Sequence, residues 1–392
     1  MVSGTELDAF RAHVRRVIAD HAPPIVEREG RRAPETAMHE AQLRAWFKVL
    51  FDEGLSGGSW PVEHGGRVDH HPSHDRIVIE EILRARAPRP VDQVGLAAHV
   101  LLLFGTDDQR ATYLPPIRSS EHVWCQLLSE PNAGSDIAGV RARATPRDDG
   151  SWVLSGQKTW TTDGHWADMG LALLRTDPAS VRHHGLTMFL VPMHLDGVEV
   201  RPIRTIGDAV EINEVFLDDV VVPGDAVVGE LGHGWHVIMS GLDHERLGIG
   251  GNVVLLELLL DDVVLVARHL DIEGRRAIER DDVRQQLAAL AVEAEVAIAV
   301  IDDYIERVVA DGERPGDASI AKLSFSETYN RMARAGTELA GSGTLDDDPA
   351  AGAARDRLQQ WWLWSRAYTI SGGSSEMMRN ILAKRRLGLP SR

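Results

Sequence analysis

Apolar residues recur at helical spacing toward both ends of the chain and at strand spacing in its middle. In "TELDAFRAHVRRVIADH", Leu7, Phe10, Val14 and Val17/Ile18 fall on one face, which predicts an amphipathic helix. "GLSGGSWPVEHGG" reads as loop punctuation, and "HDRIVIEEILRAR" returns to helix. From about Val123 to Gly234 the runs shorten and fill with β-branched and aromatic residues: "GSWVLSGQKTWTTDG", "MGLALLRTD", "LTMFLVPM", "VEVRPI" and "INEVFLDDVVVPG". Turn residues bound each run, as in a small all-β domain. Helical spacing then resumes. Val283, Leu287, Leu290, Ala294, Ala297, Ile301, Tyr304 and Val308 follow at steps of three or four, the pattern of a long helix that packs in a bundle. The expected class is α+β, with an N-terminal helical domain (1–122), a central β-barrel or sandwich domain (123–234) and a C-terminal helix bundle (235–392).

The most apolar stretch, "GNVVLLELLLDDVVLVARHL", is broken by Glu257, Asp261 and Asp262, so it reads as a helix buried in protein and not in lipid. There is no internal repeat. "GERPGD" at 312–317 and "DDD" at 346–348 read as solvated loops. No glycine-rich loop sits between a strand and a helix, so "GSGTL" at 341–345 is not a dinucleotide or phosphate loop.

Composition narrows the picture further. With 392 residues there is ample material for several buried cores, and 43% hydrophobic and 26% charged residues describe an ordinary globular protein. A net charge of −17 argues against nucleic acid, whose phosphates need a basic surface. The single cysteine, Cys125, excludes an internal disulfide and fits a reducing cytoplasm. No apolar leader opens the chain, and neither a membrane nor a metal partner is expected. His70, His71 and His74 in "DHHPSHD" mimic a metal cluster but lack supporting ligands, and read as a surface loop. Cys125 reads as a small buried apolar side chain, not a reactive thiol.

Two stretches of the β segment carry chemistry. "LLSEPNAGSD" (Leu127 to Asp136) and "GQKTWTTDG" (Gly156 to Gly164) resemble the two flavin-contacting signatures of the acyl-CoA dehydrogenase family. "SGGSSEMMRNILAKRRLGLP" is similar to that family's C-terminal active-site segment, and "GVEVRPIRTIG", "VFLDDVVVPGDAVVGELGHGW" and "LDHER" follow in the family's order between them. The resemblance covers nearly the whole chain. It implies a C-terminal four-helix bundle, an FAD cofactor, an acyl-CoA or acyl carrier protein thioester as substrate, and an electron-transfer flavoprotein as acceptor. It places Trp160 against the isoalloxazine, Leu128, Ser129 and Thr162 at the ring's polar edge, and Gly134 and Ser135 where backbone approaches cofactor or substrate. Gly341, Ser374 and Glu376 fall at further cofactor-binding positions. These residue types suit the task, because a reduced flavin places negative charge near its N1–C2 carbonyl region and needs an aromatic wall and hydrogen-bond donors there.

Family members remove an α-proton with a carboxylate while a hydride leaves the β-carbon for the flavin. In many of them the base is a glutamate of the C-terminal segment, and here that position is Gly372. A branch resembling isovaleryl- and long-chain acyl-CoA dehydrogenases instead carries the base in an "ER" pair at the start of the bundle. That pair is present in "GLDHERLGIGG", so the resemblance assigns the base to Glu245, with Arg246 as its neighbour. The Gly372 amide would polarise the thioester carbonyl, and the missing side chain would leave room for branched or bulky acyl groups. Two features that reach a neighbouring subunit's FAD are eroded. "LDIEGRRAIERDD" stands where an arginine-bearing segment is expected, with Arg275 or Arg276 as candidates for the pyrophosphate, and Thr337 replaces a glutamine in "TELAGSG". This pattern is similar to one subunit type of actinobacterial heteromeric dehydrogenases acting on steroid side chains. Homo-oligomer and hetero-oligomer with a second such chain both stay open, as do a half-site subunit and a flavin oxidase or monooxygenase on the same fold.

Overall fold

The computed structural model describes residues 4–24, 36–90, 92–247, 249–312 and 314–390; the side chains of residues 72, 91–94, 243–250, 309 and 311 also lie outside the description. Five helices come first: α1 (Gly4–His21), α2 (Ala37–Asp52), α3 (Pro72–Arg84), α4 (Asp92–Phe104) and α5 (Asp107–Arg118). Eight strands follow: β1 (Trp124–Leu127), β2 (Arg143–Pro146), β3 (Trp152–Thr162), β4 (Met169–Arg175), β5 (Leu186–Pro192), β6 (Val198–Ile203), β7 (Ile212–Val222) and β8 (Val227–Val228). The helices α6 (Gly234–Leu247), α7 (Ile249–Asn252) and α8 (Val254–His269) lead to two short strands, β9 (Leu270–Ile272) and β10 (Arg275–Arg276). The chain closes with α9 (Asp281–Asp311), α10 (Asp317–Ala340), β11 (Thr344–Leu345), α11 (Pro349–Ile370) and α12 (Ser375–Ile381).

The chain forms two compact units. One holds α1, α2, the strands β1–β8, and the chain from residue 87 to Glu245; the other holds residues 76–86 and 246 onward. In the first, the sheet runs β6-β7-β3-β2-β4-β5-β8, with β1 added in parallel to β4. Residues alternate across β4 as a pleat requires. Leu171 and Leu173 join Leu96, Leu101, Ile117 and Ile238 on the helix-covered face, while Ala172 and Leu174 join Cys125, Phe189, Val215 and Leu217 on the other. Because both faces are covered, β4 and β5 read as unbroken apolar runs. Cys125 is fully buried, its sulfur 3.8 Å from that of Met193, and burial first, then Asp163, pushes its thiol far up. Arg44 of α2 ties that helix to the strands through the Glu121 carbonyl (3.0 Å) and Asp168 (3.1 Å).

In the second unit α8, α9, α10 and α11 bury one apolar core. The sequence reading of α9 holds residue by residue: Val283, Leu287, Leu290, Ala294, Ala297, Ile301 and Tyr304 are buried and Val308 packs against them. The acidic interruptions of α8 are satisfied inside protein, since buried Asp262 takes Arg357 at 2.6 and 2.9 Å. Among the described residues no helix is long and apolar enough to cross a membrane.

Three loop expectations need correction. Asp317, read as solvated, opens α10 and is buried, because the Arg307 guanidinium reaches it at 2.8 Å. Asp346 and Asp348 are half-buried: Asp348 caps α11 through Ala351 N–H (2.9 Å), and Asp346 pairs with Arg276 (3.0 Å) and His269 (3.2 Å). Of the three histidines, His70 and His71 do lie in the loop before α3, half-buried, and only His74 departs from that reading. His74 lies in the first turn of α3, buried under Phe10 with ring centroids 4.4 Å apart, and its Nδ1 accepts the His71 N–H at 3.2 Å. Burial first, and then the Arg67 charge, holds His74 below its usual range.

Candidate functional site

The strand β3 departs from regular pairing where its sequence is richest in chemistry. Lys158 pairs with Val215 and Thr161 with Asn213, so two residues of β3, Thr159 and Trp160, oppose one of β7. Such a bulge re-aims the side chain it carries. Trp160 takes left-handed backbone (φ 60°), a conformation rare for a bulky residue, and the residue stands 61% exposed. An indole turned out of a β domain in strained backbone marks a surface shaped to meet something. Ser129 and Thr162 are half-buried, and among the described residues neither hydroxyl has a hydrogen-bond partner. Thr159 N–H donates to Ser129 O at 2.9 Å, which seats the two stretches side by side. Leu128 is buried, while Gly134 and Ser135 are exposed, with open space where a Gly134 side chain would begin.

Beneath this surface lies a fully buried ion pair. Lys158 Nζ donates to Glu130 Oε1 (2.9 Å) and to the carbonyls of Leu173 (2.7 Å) and Leu128 (3.1 Å). Glu130 also accepts the N–H groups of Arg141 (2.7 Å) and Ala142 (2.8 Å). Burial pulls the Lys158 ammonium down to about 8, with Glu130 opposing the shift. Nearby, Arg175 donates to the carbonyls of Val140, Ala138, His184 and Arg182, and so fixes the loops on either side of Asp136. An open polar groove of about 870 Å³ borders Glu130, Asn132, Arg141, Arg143, Gln157 and Asp218, but neither Trp160 nor Thr162 lines it.

In the helical unit Gly372, Ser374 and Glu376 lie together at one turn. Gly372 (φ 63°) and Gly373 (φ 101°) both need left-handed backbone, which glycine adopts without penalty. A Cβ at Gly372 would meet nothing within 4 Å, and its N–H has no partner among the described residues. Buried Lys322 of α10 anchors the turn by donating to Gly373 O at 2.7 Å. Ser374 caps α12 by accepting the Met377 N–H (3.3 Å), and its hydroxyl, after Glu376's own backbone N–H, holds the Glu376 carboxyl below its usual range. Gly341 is not brought to this turn. It ends α10, about 28 Å along the helix from Lys322 at 1.5 Å per residue. Gly343 is a glycine because a side chain there would overlap the Asp271 carbonyl.

The two arginine candidates are engaged within the chain. Arg275 donates to Glu279 O, and Arg276 to His269 O (2.6 Å) and Asp346 (3.0 Å). Thr337 turns its hydroxyl inward onto the carbonyls of Ala333 (2.9 Å) and Leu358 (3.1 Å). Glu245 and Arg246 lie on α6, and their side chains fall outside the described residues.

Comparison with known proteins bears on the whole chain. The profiles of the acyl-CoA dehydrogenase N-terminal, middle and C-terminal domains match residues 4–121, 125–220 and 232–387. The chain is 36% identical to acyl-CoA dehydrogenase IpdE1 of Mycobacterium tuberculosis over 98% of both sequences. It belongs to the acyl-CoA dehydrogenase family. This acyl-CoA dehydrogenase is thus an oxidoreductase acting on acyl-CoA, in a family of flavoproteins. Among solved structures it is similar to the Tcur3481–Tcur3483 steroid ACAD (TM-score 0.87, 29% identity, 100% and 99% of the two chains covered). It is also similar to the ChsE4–ChsE5 complex of Mycobacterium tuberculosis (TM-score 0.85, 27% identity, 100% of both chains covered). The α–β–α order and the three-domain fold expected from the sequence are those of the family.

Sequence reasoning missed Glu130, Lys158 and Lys322. A signal existed for Lys158: strict alternation would put it on the same face as Trp160, so one of the two had to break the pleat. Nothing in the sequence singled out Lys322, whose partner is a backbone carbonyl.

Proposed function

We propose that this acyl-CoA dehydrogenase converts an acyl-CoA thioester with a branched or bulky acyl group to its α,β-enoyl form. The observation that carries the reading is Trp160, an exposed residue held in strained backbone, in a strand whose Thr159 N–H joins it to the stretch that carries Ser129. The donor set fits FAD: an aromatic face from Trp160, hydroxyls from Ser129 and Thr162, and side-chain-free backbone at Gly134, with Ser135 beside it. When bound, the flavin supplies the two-electron acceptor for the hydride that leaves the β-carbon. Glu245 takes the α-proton, with Arg246 tuning its charge, since the family's reaction calls on a carboxylate base and Gly372 offers none. The Gly372 N–H donates to the thioester carbonyl, where negative charge develops as the proton leaves. Open space at Gly372 supports a substrate wider than a straight chain. Electrons then pass to an electron-transfer flavoprotein.

A second reading concerns assembly. Arg275 and Arg276 are engaged within the chain and Thr337 is turned inward, which favours a partner that completes the flavin site from a second, different dehydrogenase chain. Two similar solved structures are named for two different chains each, Tcur3481–Tcur3483 and the ChsE4–ChsE5 complex.

The test is the visible spectrum of the chain, expressed alone and then with a second dehydrogenase chain, before and after anaerobic addition of straight, branched and ring-bearing acyl-CoAs. A yellow protein bleached fastest by a bulky thioester supports the reaction. Colour that arises only with the second chain supports the paired assembly. A protein that stays colourless in both settings overturns the flavin reading.

A further inference from the structure

The buried ion pair under β3 has no part in the reaction as proposed, yet it meets the flavin-facing surface at both of its edges. Lys158 Nζ makes three contacts, to the Leu128 carbonyl at the end of β1, to the Leu173 carbonyl in β4, and to Glu130 in the loop that carries Gly134 and Ser135. Glu130 closes the same loop on itself through Arg141 and Ala142 N–H. The next residue, Thr159, bonds Ser129 through its backbone, and the one after that is Trp160 in left-handed conformation. Lys158 is completely buried and Glu130 nearly so. Removing the ammonium would leave two buried carbonyls short of a donor and a carboxylate without its counter-charge.

We propose that Lys158, charged and clamped by Glu130, is the positioning residue that holds Trp160 outward and sets Ser129 beside it. The clamp fixes the strand immediately before the bulge, while pairing of Thr161 and Thr162 with Asn213 and Ile212 fixes it immediately after. Trp160 is therefore trapped between two immobile points and keeps a backbone angle it would otherwise leave. A buried lysine at this position is a poor choice for stability alone, since an apolar pair of similar volume would pack without the desolvation penalty. Its retention is explained by what it orders. The consequence for cofactor binding rests on the flavin reading above; the consequence for Trp160 does not.

The experiment separates the two. Wild type and the double variant K158M/E130Q, which removes both charges together, are labelled with 5-fluorotryptophan, and Trp160 is assigned by the resonance lost in W160F. In the folded double variant the Trp160 resonance should shift or broaden while those of Trp361 and Trp362 in the helical unit stay in place. The FAD dissociation constant should rise at least about tenfold. An unmoved Trp160 resonance overturns the proposal whether or not FAD binds. A moved resonance in a protein whose wild type binds no FAD upholds the clamp and removes only the flavin reading. Should K158M/E130Q not fold, K158Q/E130Q, whose amide still donates to a carbonyl, takes its place under the same criteria.

Discussion

Trp160 and Gly372 hold nearly the same backbone angle, φ 60° and 63°, in surroundings that differ completely. Trp160 is a bulky residue in a conformation that costs an L-amino acid roughly 1–2 kcal/mol. It stays there because Lys158, Glu130, Thr159 and the β7 ladder fix the chain on both sides. Gly372 needs no such enforcement. One lysine contact to the neighbouring carbonyl anchors its turn, and space opens in front of it. The contrast assigns different duties. Under the proposed function, a surface that presents one face to one cofactor is over-determined, whereas a turn that admits variable acyl groups is left loose.

The comparison can be broken first at the base. If the carboxylate has left the Gly372 turn for α6, Glu245→Gln should slow substrate-driven flavin bleaching by about 10²–10⁴-fold. The FAD absorbance of the variant should remain. Bleaching at the wild-type rate would return the search to the turn itself. Next in size is the clamp. Glu130→Ala leaves the Lys158 charge buried without its partner, and should lower unfolding free energy in urea by about 3–5 kcal/mol. A loss well under that range would mean the β-domain side is less constrained than its geometry implies.

The loose side should respond more gently. Gly372→Ala keeps a left-handed angle at a cost of about 1–2 kcal/mol, with no clash to add to it. The methyl group should reduce kcat/KM for ring-bearing thioesters more than for straight ones; an equal loss on both would deny that the space is used by substrate. The last effect is one of pH. Burial pulls Lys158 down to about 8 from an ordinary 10.5, so between those values the unfolded chain holds a proton that the folded chain has released. Stability from this group therefore rises with pH across that window and is unchanged below it. Urea midpoints of wild type should gain on those of K158M/E130Q between about pH 8 and about pH 10.5, and a flat difference would contradict the shift.

Much of this was legible from residue order. The strands of the β domain and the buried positions of α9 follow from periodicity, because each element has one environment per face. Trp160, Ser129 and Gly372 were found through the resemblance. What escaped was long-range and electrostatic. Asp317 looked solvated among Gly, Pro and Arg, yet Arg307 lies one helix end away and takes it inside. Arg276 looked available for a phosphate, but Asp346, 70 residues on, already holds it. Lys322 answers to a carbonyl, which no side-chain pattern records.

The solitary thiol of Cys125 gives the β domain a built-in clock. It sits against Met193 between two apolar layers, protonated and out of reach of water. An alkylating reagent can meet it only when the strands part, so labelling requires an opening of that region. With no second cysteine to confuse the signal, the rate of mass gain on incubation with iodoacetamide reports how much of the time the strands around Cys125 stand open, wherever closing outpaces alkylation.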